Sequence, residues 1–283
     1  MGKPVQNTQL VDFLKIVLTL GIVLRHATPA QIPSDGSVMM SAVFRGVVLL
    51  TEVCVPLFFV LSGFLFFLNV PEDPASSWFG KKLGRRVHSL LIPYLVANLF
   101  AWACYAAAYR WYPGMMGGFL GENWKDPLYA LWNGPINMSL WFIRELIKVS
   151  LLAPVVYLLV RYTRWWGVLA LGVLGFLNQI PLPWFYFSLG AMTAYDSRTR
   201  GWVCGVRMNV SPAWRGWCYF VYLYHYVPII TVKKLAYGYS SAAWAQALAY
   251  LLVVVLILGA LSLVWALLRR YMPRVLGVLI GGK

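Results

Sequence analysis

Lys15 and His26 lie eleven residues apart in an apolar stretch, TQLVDFLKIVLTLGIVLRHAT (Thr8 to Thr28), that also carries Asp12 and Arg25. Eleven residues is close to three helical turns. At about 100° per residue the two side chains differ by roughly 20° around the axis and lie about 16 Å apart along it. One helix face would then carry a cation near one end and an imidazole near the other. Ionisable groups inside a membrane span cost on the order of 2.5–3.5 kcal/mol each on insertion scales, so they usually line a cavity or a pathway. An imidazole is also the side chain best suited to take up and return a proton near neutral pH. The plainer account is that Lys15 snorkels to an interface and that Arg25-His26 is merely the polar end of the helix.

The elements that must hold these residues are membrane helices. The chain has 283 residues, of which 60% are hydrophobic, 16% aromatic and only 12% charged. Ordinary soluble domains run to about 25% charged residues, so a soluble enzyme is excluded and a polytopic all-α bundle is expected. We read eight spanning segments, at about 9–28, 47–69, 88–110, 137–160, 165–181, 182–196, 213–232 and 243–269. No repeat of 20–50 residues is evident. The N-terminal run lacks a basic cluster and a small-residue cleavage site, so it is expected to span rather than to act as a signal peptide.

The net charge of +15 has a topological explanation, and no nucleic-acid-binding pattern accompanies it. Lys81, Lys82, Arg85, Arg86, Arg161, Arg164, Arg198, Arg200, Arg207, Arg215, Arg269, Arg270 and Arg274 fall in alternate loops. The positive-inside rule makes those loops, and both termini, cytoplasmic. The loop at about 111–136 is then external, and Lys233-Lys234 is the exception. Four cysteines (Cys54, Cys104, Cys204, Cys218) show no CxxC spacing and read as small buried side chains. No metal site is expected.

Four further stretches can carry chemistry. In PLFFVLSGFLFF, Pro56 and Ser62-Gly63 allow a kink or unwound turn lining a cavity. The alternative is a packing face of small residues, which periodicity alone leaves in place. FGKKLGRRVHSLLIPY (Phe79 to Tyr94) is a basic run leading into a helix. Its cations suit a phosphate-rich ligand such as a nucleotide or coenzyme A, while the plainer account on the residues alone is positive-inside topology with lipid-headgroup binding. MSLWFIRELIKVSLLAP (Met138 to Pro154) sets Arg144, Glu145 and Lys148 inside a spanning segment, and Glu52 is another acid that needs a partner there. Finally, WCYFVYLYHYVPII places His225 among tyrosines that an interfacial aromatic belt would also explain.

Five ordered blocks, from Val11 to about His225, make the chain resemble the membrane-bound acyltransferase-3 family. They are VDFLK with the Lys15–His26 spacing, PLFFVLSGF, KKLGRR running to LIPY, SLWFIREL, and YFSLGA followed by FVYLYH. The resemblance implies transfer of an acyl group, usually acetyl, from cytosolic acyl-CoA to a sugar or glycan hydroxyl, on an acceptor that can be lipid-linked. It makes His26 the catalytic base and Lys15 its motif partner. It sets Arg85 and Arg86 at the coenzyme A phosphates and has Ser62-Gly63 shape the site.

We extend this to Asp12 or Glu52 as the group that orients the imidazole, and to Lys82 and Arg144 as further donor contacts. Trp141, Glu145 and His225 are taken as acceptor contacts. Lys15 or Arg144 can also face the developing oxyanion, and Ser62 is a candidate for carrying an acyl group. The expected setting is the bacterial inner membrane, in contact with its lipids. The family has more spanning helices than the eight read here. Only DSRTRGWVCGVRMNVSP stands where a helical hairpin is expected, so the chain is either compact or short of a piece that closes the site. A transporter or flippase for a glycan or small polar solute would use the same buried charges, and a non-catalytic subunit is a third reading.

Overall fold

Proline decides where these helices stop. A proline within a helix has no N–H for the carbonyl four residues back, and its ring crowds that turn. Each of four breaks lies just upstream of one. Pro56 follows the break at Val53, Pro154 the break at Leu152, Pro228 the break at His225, and Pro93 a π turn over Val87–Leu91. The computed structural model describes residues 7–29, 38–111, 127–132, 136–237 and 242–282. Most of the expected external loop at 111–136 lies outside the described residues.

In chain order the helices are α1 (Gln9–Ala27), α2 (Val38–Glu52), α3 (Cys54–Phe67), α4 (Ser76–Arg86), α5 (Ile92–Trp111), α6 (Pro127–Trp132), α7 (Trp141–Leu151) and α8 (Ala153–Phe176). Then follow α9 (Leu182–Tyr195), α10 (Ser197–Gly205), α11 (Pro212–Tyr224), α12 (Tyr226–Tyr237), α13 (Ala243–Tyr271) and α14 (Pro273–Leu279). There is no strand among the described residues, so the all-α class holds. Three described helical stretches are long and apolar enough to cross a membrane: Ser41–Phe67, Ser76–Arg110 and Trp244–Tyr271.

The boundaries differ from expectation where a proline outweighs hydropathy. The segment read at 137–160 is a 3-10 turn (Met138–Leu140), α7, and the start of α8. The one read at 213–232 is α11 and α12, interrupted at His225. KKLGRR is not a loop: it is the body of α4, which runs through the π turn into α5. Arg164, with φ 51°, breaks α8 just where a loop between two spans was expected. Ser62-Gly63 stays helical inside α3.

The chain divides into two compact units. The first comprises Met1–Leu18, Val53–Val87 and Glu145–Arg215, and the second comprises Thr19–Glu52, His88–Arg144 and Gly216–Lys283. In the first unit α3 and α9 cross backbone to backbone. A Cβ at Gly63 would collide with the Phe187 carbonyl, and one at Gly190 with the Val60 carbonyl. Small residues permit such close helix crossings in membranes. Around the crossing, Phe66, Phe67 and Phe187 are almost fully buried and their rings pack together.

The short stretch after α9 is put to structural use. Asp196 caps α10 by accepting from the Thr199 amide at 2.9 Å. The extended residues beyond it meet the start of α1. Asn7 Nδ2 donates to the Val206 carbonyl at 2.9 Å, and the Met208 amide donates to Gln9 Oε1 at 3.0 Å.

Candidate active site

The second unit builds its polar centre on the end of α1. The last four carbonyls of a helix have no partner within it, and in a membrane an unpaired carbonyl costs several kcal/mol. Here all four are met by side chains. Tyr250 Oη reaches Leu24 O at 3.4 Å, and Thr28 Oγ1 reaches Arg25 O at 2.7 Å. Lys233 Nζ reaches His26 O at 3.1 Å, and Tyr237 Oη reaches Ala27 O at 2.9 Å. The backbone that carries His26 is therefore held from α12 and α13. Lys233, the topological exception in the sequence, is explained as a cap on this helix end.

The half-buried His26 ring meets two aromatic neighbours. The ring of His225 lies 5.3 Å away between centroids, tilted by 44°, and Tyr226 packs edge-on at 5.2 Å. His225 is fully buried. It sits at the α11–α12 break, where its Nδ1 lies 2.8 Å from the Tyr222 carbonyl and 3.1 Å from the Val221 carbonyl. Its Nε2 has no hydrogen-bond partner among the described residues.

A set of buried hydrogen bonds holds the same break. Asn137 Nδ2 donates to Leu223 O at 3.0 Å, Ser139 Oγ donates to Asn137 Oδ1 at 2.6 Å, and Tyr222 Oη donates to Ser139 O at 2.7 Å. Tyr219 Oη donates at 2.8 Å to Ser89 O, the carbonyl that Pro93 cannot serve.

The remaining candidates of this unit have other partners. Glu52 faces Arg25 at 3.8 Å, and Arg25 also donates to Val48 O at 3.0 Å. Arg144 Nη1 donates to Trp132 O at 2.9 Å, and Trp141 is exposed.

The first unit holds the other candidates. Asp12 is buried and paired with two cations, Arg215 at 3.0 Å and Lys15 at 3.8 Å. Glu145 binds Lys148 at 2.9 Å. Ser62 and Arg86 are brought together: Arg86 Nη2 donates to Ser62 O at 3.1 Å while its guanidinium lies 5.3 Å over the Phe66 ring. Lys82 Nζ stands 5.2 Å over Trp78 and 5.9 Å over Phe66, and Arg85 is exposed beside it. Such cation–π contacts add about 0.5–2 kcal/mol each. α4 is thus anchored to α3 through the serine carbonyl rather than its hydroxyl, and Gly63 is accounted for by the α9 crossing. Among the described residues no three His, Cys, Asp or Glu side chains cluster as metal ligands would.

Comparison with known proteins bears on what this arrangement belongs to. The family described as an acyltransferase domain (acyltransferase-3) matches residues 9–202, more than half of the chain. The chain belongs to the acyltransferase-3 family. The succinoglycan biosynthesis protein ExoH of Rhizobium meliloti (strain 1021) is 30% identical over 187 residues, 61% of this chain and 48% of that protein. The chain thus spans about half the length of that curated relative. No solved structure matches.

The acyltransferase-3 match runs from α1 into α10 and takes in His26, Lys15, Ser62, Lys82, Arg86 and Arg144. His225, Tyr226, Lys233, Tyr237 and Tyr250, which surround His26 or hold its backbone, all lie beyond it. Sequence reasoning did not identify Tyr226, the capping tyrosines or Asn137. Pro228, three residues after His225, is the signal that would have located the break, whereas nothing in the linear chain marks the caps.

Proposed function

We propose that the chain is a multi-pass inner-membrane O-acyltransferase that moves an acetyl or other short acyl group from cytosolic acyl-CoA to a glycan hydroxyl. The observation that carries this reading is the setting of His26, a half-buried imidazole on a fully capped helix end, in a chain of the acyltransferase-3 family. His26 accepts the acceptor's O–H proton as that oxygen attacks the thioester carbonyl. The C–O ester bond forms, the C–S bond breaks, and the coenzyme A thiolate leaves with the proton from the imidazolium. Lys82, Arg85, Arg86 and Arg144 supply cations for the donor's phosphates. Trp141 and Glu145 contact the acceptor. The relative's role in succinoglycan biosynthesis supports a polysaccharide, or a lipid-linked precursor of one, as the acceptor class. Eight spans with both termini cytoplasmic complete the reading.

The test is acetyl-CoA binding and slow hydrolysis by the purified protein in detergent, for the wild type and His26→Ala. Binding by both is expected, with hydrolysis by His26→Ala slower by about 10²–10⁴-fold, the usual contribution of a general base. A fully active His26→Ala protein would remove His26 from the chemistry. Folded protein that does not bind acetyl-CoA, combined with solute flux in vesicles, would favour the transporter reading.

A further inference from the structure

We propose that His225 positions the catalytic base, its Nε2 accepting a hydrogen bond from the His26 ring and so fixing which nitrogen of His26 is free to take the substrate proton. This role rests on His26 being the base. Carbonyl oxygens only accept, so the Nδ1 of His225, set against Tyr222 O and Val221 O, must be the protonated nitrogen. In the neutral ring Nε2 then carries the lone pair. That nitrogen is fully buried and has no partner among the described residues. A buried acceptor left unpaired is costly, so a donor is expected beside it.

Among the described residues, the His26 ring is the neighbour whose separation from His225 suits such a donor. A ring nitrogen lies roughly 1.1–1.2 Å from its centroid, so two imidazoles joined by a bond of about 2.9 Å have centroids roughly 5.2 Å apart. The observed separation is 5.3 Å. Rotation of the half-buried His26 ring completes the bond, and such contacts commonly tighten only when substrate binds.

The neighbours fit the same assignment. Tyr226 presents a ring against His26. Lys233 directs its ammonium at the His26 backbone carbonyl. Glu52, the acid of this unit proposed to orient the imidazole, faces Arg25. His225 thus does what a carboxylate does in a Ser-His-Asp triad, but without a charge: it holds the tautomer and shares the N–H of the imidazolium that forms. During transfer no proton passes to His225. The acceptor's proton lands on the other nitrogen of His26 and leaves with coenzyme A.

The chain has three histidines, which makes the test direct. After His88→Gln, nitrogen-15 NMR of histidine-labelled protein in detergent resolves the rings of His26 and His225. The expected result is one tautomer for each, with a through-bond coupling between them. In His225→Phe, His26 should show mixed tautomers. Acetyl-CoA hydrolysis should fall about 10- to 100-fold in kcat, part of the ~10²–10⁴ that a general base supplies, with KM unchanged. His225→Gln, which keeps an acceptor oxygen, should recover much of both. An unchanged His26 tautomer in His225→Phe overturns the proposal, even if activity falls, because packing alone would do that. A wild type that neither binds nor hydrolyses acetyl-CoA overturns the acyltransferase reading instead, while the tautomer comparison still decides the pairing.

Discussion

Asp12 shows how a residue's role changes once its partners are visible. In the sequence it is one turn from Lys15 in the motif helix, and the imidazole is a tempting partner. In the first unit it is 6% exposed and held between Arg215 and Lys15, whose side chains are 49% and 30% exposed. This pairing joins the start of α1 to the start of α11. Exposed ion pairs add about 0–1 kcal/mol, whereas breaking a buried one costs roughly 3–5 kcal/mol. The half-exposed cations place Asp12→Asn between these limits, at about 1–3 kcal/mol. We expect thermal unfolding in detergent at a lower temperature and a nearly unchanged kcat for acetyl-CoA hydrolysis. A large kcat loss at unchanged stability would return Asp12 to the chemistry.

At the level of the element, the SGF block is a helix-crossing device. Gly63 and Gly190 are reciprocal: each faces a carbonyl of the other helix where a methyl group cannot fit. Overpacking typically costs about 1–3 kcal/mol, and contact with backbone rather than a movable side chain puts these sites at the upper end. Gly63→Ala and Gly190→Ala should each lower folded yield and melting temperature. Ser62→Ala should do little, since Arg86 uses the serine carbonyl. Equal losses in all three variants, or a kcat collapse confined to Ser62→Ala, would argue for the hydroxyl as a reacting group. The proline breaks belong to this scale as well. They convert long apolar runs into joined pieces whose freed carbonyls need donors, and Tyr219 on Ser89 O is one.

For the whole molecule, orientation is the property to measure. Lys81 is exposed on α4, and from the positive-inside rule we propose that this helix faces the cytoplasm. Cys54 and Cys218 are buried, while Cys104 and Cys204 are partly accessible. With the latter two replaced by serine, Lys81→Cys should react with an impermeant maleimide in inverted vesicles and not in intact spheroplasts. Labelling from outside would invert the topology and remove acyl-CoA access at α4. The outward apolar surface of α13, with Leu251, Val255, Leu256 and Leu263 at least half exposed, fits a helix that faces lipid.

Composition and residue order were enough for the all-α membrane class and the acyltransferase-3 resemblance, and they single out His26 as a candidate, because apolar runs and motif spacing are linear properties. The charge pattern also located the break at Arg164. Hydropathy could not show that 137–160 and 213–232 are interrupted, since windowed averages pass over a single proline. Nor could it show that KKLGRR is helical, because an amphipathic helix and a basic loop have similar composition. Partner choice was left to the tertiary structure. The pairing of Asp12 with Arg215, the caps from Lys233, Tyr237 and Tyr250, and the approach of His225 to His26 span about 200 residues of chain. Such contacts leave no periodic trace in a sequence. They form because helix ends and buried polar groups in a membrane must find donors and acceptors within the protein.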